Sequence, residues 1–180
     1  QERRLELAAL AVRECAKPWR EADADVCEAI DFCEYYGRLG TANLERLAAD
    51  GFEVAGRGIV AVVAPWNFPY AIPTGGVSAA LAAGNAVLAK PAEQTTLIAH
   101  FAVNLMHQAG VPRAALQLLP GDGTMGAALT ADTQVGGVAF TGSTTTALRI
   151  RQCLAQNAAP GTPLIAETGG LNAMVVDSTA

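Results

Sequence analysis

The stretch Gly58-Ile59-Val60-Ala61-Val62-Val63-Ala64-Pro65-Trp66-Asn67-Phe68-Pro69 decides the fold. Its first half is a continuous apolar run rich in β-branched residues, without alternation. That is the pattern of a strand buried on both faces, as in a parallel sheet. Its second half is a turn, with Asn67 between Pro65 and Pro69. No charged residue occurs from Gly58 to Ala89, so a membrane span has to be considered. Pro65, Pro69 and Pro73, with Gly75-Gly76 and Gly84-Asn85, divide the stretch into strand, turn, helix and second strand, and a span is rejected.

Working outward, residues 74–83 read as a helix and 86–89 as the second strand. The periodicity then predicts a helix over 94–109, a strand over 116–119, a short helix over 126–131, a strand over 138–140, a helix over 145–156 and a strand over 164–166. Residues 173–176 are a candidate sixth strand. Upstream, residues 3–15 read as a helix interrupted at Lys17-Pro18. A second helix runs from 23 to 36, ended by Gly37 and Gly40, and 41–57 is mixed with a turn at Asp50-Gly51. Strands alternating with helices mean βαβ units. The expected class is therefore α/β: a mostly parallel sheet of about five strands with helices on both faces, preceded by N-terminal helices.

Composition agrees. The chain has 180 residues, 51% hydrophobic and only 16% charged, against about 25% charged for ordinary soluble domains. A net charge of −5 speaks against a nucleic-acid binder, which carries a basic face. Mean hydropathy is +0.26, high for one small domain; either the sheet is covered on both faces or some apolar surface awaits a partner. Cys15, Cys27, Cys33 and Cys153 form no Cys-x-x-Cys pair and have no histidine at metal-ligand spacing, so no metal site is expected and reduced thiols in a cytoplasmic setting are the simplest reading. The opening Gln1-Glu2-Arg3-Arg4 lacks an initiator Met and a signal pattern; it reads as a start inside a longer protein.

In open α/β sheets, ligands bind beyond the carboxyl ends of the strands. Five consecutive strands here run into Pro65–Pro69, Lys90-Pro91-Ala92-Glu93, Pro120–Gly123, Thr141-Gly142-Ser143 and Glu167-Thr168-Gly169-Gly170. That edge is a candidate nucleotide site. Gly121-Asp122-Gly123-Thr124-Met125-Gly126 fits G-x-G-x-x-G, but it follows the third strand rather than the first, and no acid lies about 20 residues on to hold a ribose. A tight strand-to-helix turn bordering a cofactor explains it better. Lys90 and Glu93 read either as a local ion pair or as partners for two ribose hydroxyls. Ser143 is a helix N-cap whose helix end could face a pyrophosphate. Asn67 is a turn residue or an oxyanion donor. Glu167 is a surface acid or a general base. Trp66 is a core aromatic or an adenine contact. His100 and His107 share a helix face without a third ligand.

Four motifs in register carry a resemblance: Pro65-Trp66-Asn67-Phe68-Pro69, Lys90-Pro91-Ala92-Glu93-Gln94-Thr95, Phe140-Thr141-Gly142-Ser143 and Glu167-Thr168-Gly169-Gly170. In order and spacing they resemble the aldehyde dehydrogenase superfamily. Glu28–Tyr36, Gly56-Arg57-Gly58-Ile59 and Glu167–Met174 are most similar to the L-glutamate γ-semialdehyde (1-pyrroline-5-carboxylate) dehydrogenase module of bifunctional proline-utilisation proteins. The resemblance implies a modified Rossmann-type domain that binds NAD. Lys90 and Glu93 would hold the adenosine ribose, Ser143 would face the pyrophosphate, and Trp66 would lie beside the adenosine. Pro65, Gly123, Gly142 and Gly169 would complete the cofactor lining. Asn67 would supply the oxyanion hole and Glu167 would activate the water. The implied reaction adds a cysteine thiolate to the aldehyde, passes hydride to NAD and hydrolyses the thioester.

The family's cysteine lies downstream of the Glu167 motif in a Gly-Gln-x-Cys context, and none of the four cysteines here has it. The turn at Gly121–Gly126 is also one residue shorter than the family's Gly-x-Gly-x-x-x-Gly. The expected organisation is N-terminal helices and linker or oligomerisation segment over 1–57, an NAD-binding domain over 58–172, and the start of a catalytic domain over 173–180. The chain is expected to be the coenzyme-binding portion of an NAD-dependent enzyme of proline catabolism, inactive by itself. The implied context is a homo-oligomer, a small aldehyde substrate, a possible fused proline dehydrogenase module, and neither nucleic acid nor a membrane span. The alternatives are another aldehyde substrate, or a non-catalytic nucleotide-binding or interaction module. Exposed apolar surface should make the chain sticky.

Overall fold

A computed structural model describes residues 1–178. The element order is α1 (Arg4–Cys15), α2 (Trp19–Ala49), β1 (Ile59–Val63), α3 (Ala71–Ala82), β2 (Ala86–Lys90), a 3-10 turn (Glu93–Thr95), α4 (Thr96–Gln108), β3 (Leu116–Leu118), α5 (Gly123–Ala131), β4 (Val135–Thr141), α6 (Thr144–Asn157) and β5 (Leu164–Glu167). The five strands form one parallel sheet in the order β3-β2-β1-β4-β5. The expected α/β class and strand count are thus observed. The sheet is built outward from β1 in both directions, so the topological switch falls between β1 and β4.

Alternate residues of the strands serve opposite faces. Val62, Val87, Ala89 and Leu116 pack with Val77 and Val103 beneath α3 and α4. Ala61, Val138 and Phe140 pack with Leu129, Ile150 and Leu154 beneath α5 and α6. A third cluster joins α1 and α2 to Tyr70 and Ile98. The cover is incomplete. On the α3 side of β4 and β5 an apolar groove of about 550 Å³ remains, between Phe32 and Tyr36 of α2 and Ala139 and Ile165 of the sheet. No described helix is long and apolar enough to cross a membrane.

Several expectations need correction. The second helix does not stop at Gly37 and Gly40 but runs on through most of 41–57 to Ala49. Gly40 is a packing residue: a β-carbon there would stand 2.9 Å from the Ala82 β-carbon of α3. The close approach of α2 and α3 needs a glycine, and that need outweighs its poor helix propensity. The helix expected from 74 begins at Ala71, because the Asp25 carboxylate of α2 accepts from the N–H groups of Tyr70 (3.3 Å) and Ala71 (2.9 Å). A cap supplied from another helix leaves no local signal, and Pro73 is tolerated in the first turn. Residues 173–176 form no strand: the chain beyond β5 is irregular, with Met174 and Val175 88% and 91% exposed. β4 also begins earlier than expected, at Val135. Its Gly136 lies so close to the Arg57 carbonyl that a β-carbon would overlap it.

Candidate functional site

The parallel register brings five strand ends to one edge. Val63 is opposite Lys90 on one side and Phe140 on the other, and Thr141 is opposite Glu167. Above this edge is a cleft of about 930 Å³, near the upper end of the size range of cofactor sites, about 300–1,000 Å³. The loops after β1 and β4 flank it at the switch point. All ten residues given a binding or catalytic role from the sequence line it: Asn67 and Glu167, with Pro65, Trp66, Lys90, Glu93, Gly123, Gly142, Ser143 and Gly169.

Lys90 ends β2 and is 5% exposed. Its Nζ donates to the Pro91 carbonyl at 3.0 Å, and its stem passes Gly126 of α5. Burial pulls its pKa down, against the opposing attraction of Glu93 and Asp122. Glu93 is exposed on the 3-10 turn; its carboxylate accepts from Gln94 at 3.4 Å and makes no ion pair with Lys90 among the described residues. The local-ion-pair reading therefore fails. An ammonium with N–H groups to spare and a lightly engaged carboxylate line the same cleft, which is what two ribose hydroxyls require.

Ser143 caps α6: its Oγ accepts from the Thr146 N–H at 3.2 Å and donates to Thr146 Oγ1 at 2.9 Å. The first turn of α6 contains no acidic residue. The preceding Gly142 donates to the Glu167 carbonyl at 3.0 Å, locking the ends of β4 and β5 together. A β-carbon on Gly142 would stand 2.6 Å from Phe140 Cζ, so the loop can lie low over the core only as glycine.

The G-x-G-x-x-G loop is different. It follows the edge strand β3, and its Asp122 caps α5 by accepting from the Thr124 N–H at 2.9 Å and Oγ1 at 2.6 Å. These bonds hold the Asp122 carboxyl below the usual carboxylate range. Gly123 and Gly126 border the cleft, but an anion is already in place at this helix start.

Asn67 and Trp66 are exposed on the β1 loop, with the Trp66 side chain in the cleft wall rather than the core. Glu167 is exposed at the end of β5, on the border between the cleft and the apolar groove. Sequence reasoning missed the outer wall: Thr146, Arg149, Ile150 and Cys153 of α6 face Ala127 and Thr130 of α5 across the cleft. The signal was available, since Ser143, Thr146, Ile150 and Cys153 recur at helical spacing. Among the described residues no group of three His, Cys, Asp or Glu side chains gathers to hold a metal.

Residues 1–180 match the model of the aldehyde dehydrogenase family. The chain is 52% identical over 178 residues to the bifunctional protein PutA of Klebsiella aerogenes, covering 97% of this chain and 13% of that protein. It is 40% identical over 195 residues to the 1-pyrroline-5-carboxylate dehydrogenase of Geobacillus thermodenitrificans, covering 99% of this chain and 37% of the relative. Among solved structures, proline utilization A with proline bound in remote sites superimposes with a TM-score of 0.84 at 48% identity, over 97% of this chain and 19% of that one. The Thermus 1-pyrroline-5-carboxylate dehydrogenase with bound NAD gives 0.84 at 38% identity, over 94% of this chain and 35% of that one. With its five-stranded sheet, its cleft and its motifs in place, the chain belongs to the aldehyde dehydrogenase family.

Proposed function

We propose that the cleft binds NAD and that this chain is the coenzyme-binding portion of an enzyme that oxidises L-glutamate γ-semialdehyde to L-glutamate in proline catabolism. The observation that carries the reading is the convergence of Lys90, Glu93, Ser143, Asn67 and Glu167 on one cleft at the switch point of the sheet. The donor set fits the cofactor: a cation and a carboxylate for the ribose hydroxyls, a neutral-capped helix for the pyrophosphate, and glycines where the backbone must come close. NAD, when bound, supplies the hydride acceptor.

The chain's own residues do the rest. Lys90 donates to a ribose oxygen while Glu93 accepts from a ribose hydroxyl. Ser143 and the first turn of α6 present N–H groups to the phosphates. Trp66 shields the adenosine side, and Pro65, Gly123, Gly142 and Gly169 complete the lining. Asn67 donates its amide N–H to the oxygen that gains charge when the aldehyde is attacked. Glu167 takes a proton from the hydrolytic water. Residues 1–57 serve as N-terminal helices and linker, 58–172 as the cofactor domain, and 173–180 begin a catalytic part.

The thiolate nucleophile is not Cys153, although that residue borders the cleft. It lies ten residues beyond Ser143 on α6, about 15 Å along the helix axis from the strand-end side of the cleft where α6 begins. The 180-residue chain alone is therefore expected not to oxidise aldehydes. NADH formation from glutamate semialdehyde by the purified chain would overturn this.

Titration calorimetry tests the binding claim. The wild-type chain should bind NAD, and Lys90→Ala or Glu93→Ala should each weaken binding about tenfold or more, the scale of a lost charge-assisted hydrogen bond. Absence of binding, or binding indifferent to both substitutions, would refute the assignment.

A further inference from the structure

The loop carrying Asn67 is held from a distance. Between Pro65 and Pro69 it makes no backbone hydrogen bond of its own among the described residues. Among the described residues its one hydrogen bond comes from Lys17, fifty residues upstream, whose Nζ donates to the Asn67 carbonyl at 2.8 Å. The same ammonium lies 3.4 Å from Asp25 Oδ2 and 3.9 Å from the centre of the Phe68 ring. Asp25 in turn accepts from Tyr70 and Ala71, where the loop becomes α3. Both charges are buried, at 6% and 0% side-chain exposure.

The corner that delivers Lys17 is specialised. Ala16, which ends α1, has φ +53°, a left-handed conformation that a residue with a β-carbon adopts at a cost. Pro18 then starts α2. A buried ion pair is a poor source of stability, because desolvation offsets much of its attraction and apolar residues would serve as well. What it fixes is geometry. Here it grips the loop at Asn67 and at Tyr70-Ala71, on both sides of Pro69.

We propose that Lys17 and Asp25 are positioning residues: a buried ammonium–carboxylate post on the N-terminal helices that fixes the Asn67 peptide and so aims the Asn67 amide into the cleft. This rests on the reading of Asn67 as the oxyanion donor. It gives the N-terminal helices a role in the chemistry of a site they do not themselves line.

The test is ¹⁵N relaxation of the 180-residue chain and of its Lys17→Met, Lys17→Arg and Asp25→Asn variants. In the wild type, Trp66, Asn67 and Phe68 should be as rigid as the strands, with order parameters near about 0.85. Lys17→Met should drop these three below about 0.6 while β1 and β2 stay unchanged, and Asp25→Asn should act in the same direction. Lys17→Arg, which keeps the charge and the donor, should restore order. A rigid Asn67 in Lys17→Met, or a loss of order spread evenly through β1 and α3, would overturn the proposal. Should Lys17→Met not fold, the wild type decides. Lys17 ε-methylene protons shifted upfield by the Phe68 ring, with the shift abolished in Phe68→Leu, support it; unshifted protons or a mobile loop overturn it. NAD added to the same samples separates the two readings. A rigid, Lys17-dependent loop whose Asn67 amide ignores NAD would sink the catalytic reading of Asn67 and leave the post standing.

Discussion

Helices α5 and α6 both start at the carboxyl edge of the sheet, but α5 carries its own carboxylate there and α6 does not. Asp122 caps α5 and Ser143 caps α6. A third helix, α3, receives the carboxylate of Asp25 from α2. A fourth helix, α4, receives the carboxylate of Glu14 from α1 through the N–H groups of Leu97 and Ile98. Three of the four helix starts that follow β1–β4 thus already hold a carboxylate, and among the described residues that of α6 does not. The difference teaches that a glycine pattern marks a tight turn, whereas the chemistry of the cap decides whether the turn can accept an anion. The sequence with the more familiar glycine spacing, Gly121–Gly126, is the closed one.

The comparison can be broken by moving the charge. Ser143→Asp preserves a good N-cap but places a carboxylate where the pyrophosphate is expected. Two unit charges about 5 Å apart at an effective dielectric of about 20 repel by about 3 kcal/mol, so NAD affinity should fall more than about a hundredfold with the melting temperature nearly unchanged. Calorimetry and thermal unfolding on one preparation would show it; unaltered affinity would mean that α6 does not face the phosphates.

Gly136→Ala reads the sheet rather than the cap. The new β-carbon would overlap the Arg57 carbonyl, so β4 must shift. A loss of about 1–3 kcal/mol in denaturant unfolding is expected, as for other overpacked sites. A neutral result would mean that the segment before β1 yields freely.

The smallest effect belongs to α5. Asp122→Ala should lower the melting temperature slightly and leave NAD affinity almost intact. The pH dependence follows from the hydrogen bonds that lower the Asp122 pKa. A carboxyl with a lower pKa folded than unfolded contributes stability above its unfolded value, about 3.9, and loses it as the pH falls through the folded value. The wild type's advantage over Asp122→Ala should therefore be full near neutrality and vanish in strong acid. An advantage that grows with acidity would contradict the capping role.

Much of this was legible in the sequence, for physical reasons. The buried strands announced themselves because β1 is continuously apolar, and the strand ends because each runs into glycine, proline or a charged residue. All ten site residues chosen from the sequence line one cleft because parallel strands deliver their following loops to a common edge. What was not legible depends on partners distant in sequence. Gly40 reads as a helix stop until Ala82 is seen against it, and the start of α3 is set by Asp25. Lys17 looked like a helix interruption beside Pro18, and its contact with Asn67 exists only once α1, α2 and the β1 loop have assembled. The apolar segment 173–176 carries the pattern of a strand, but no described strand lies beside it to pair with. Its exposed side chains, with Ile165 at 64% exposure, are uncovered apolar surface of the kind the hydropathy pointed to.

The most direct test of the central claim is a map of backbone amide shifts during NAD titration of the 180-residue chain. The largest changes should fall at Gly142, Ser143 and the first turn of α6, joined by Lys90 and Glu93. Changes centred on Gly121–Thr124 with α6 silent, or no changes at all, would contradict it.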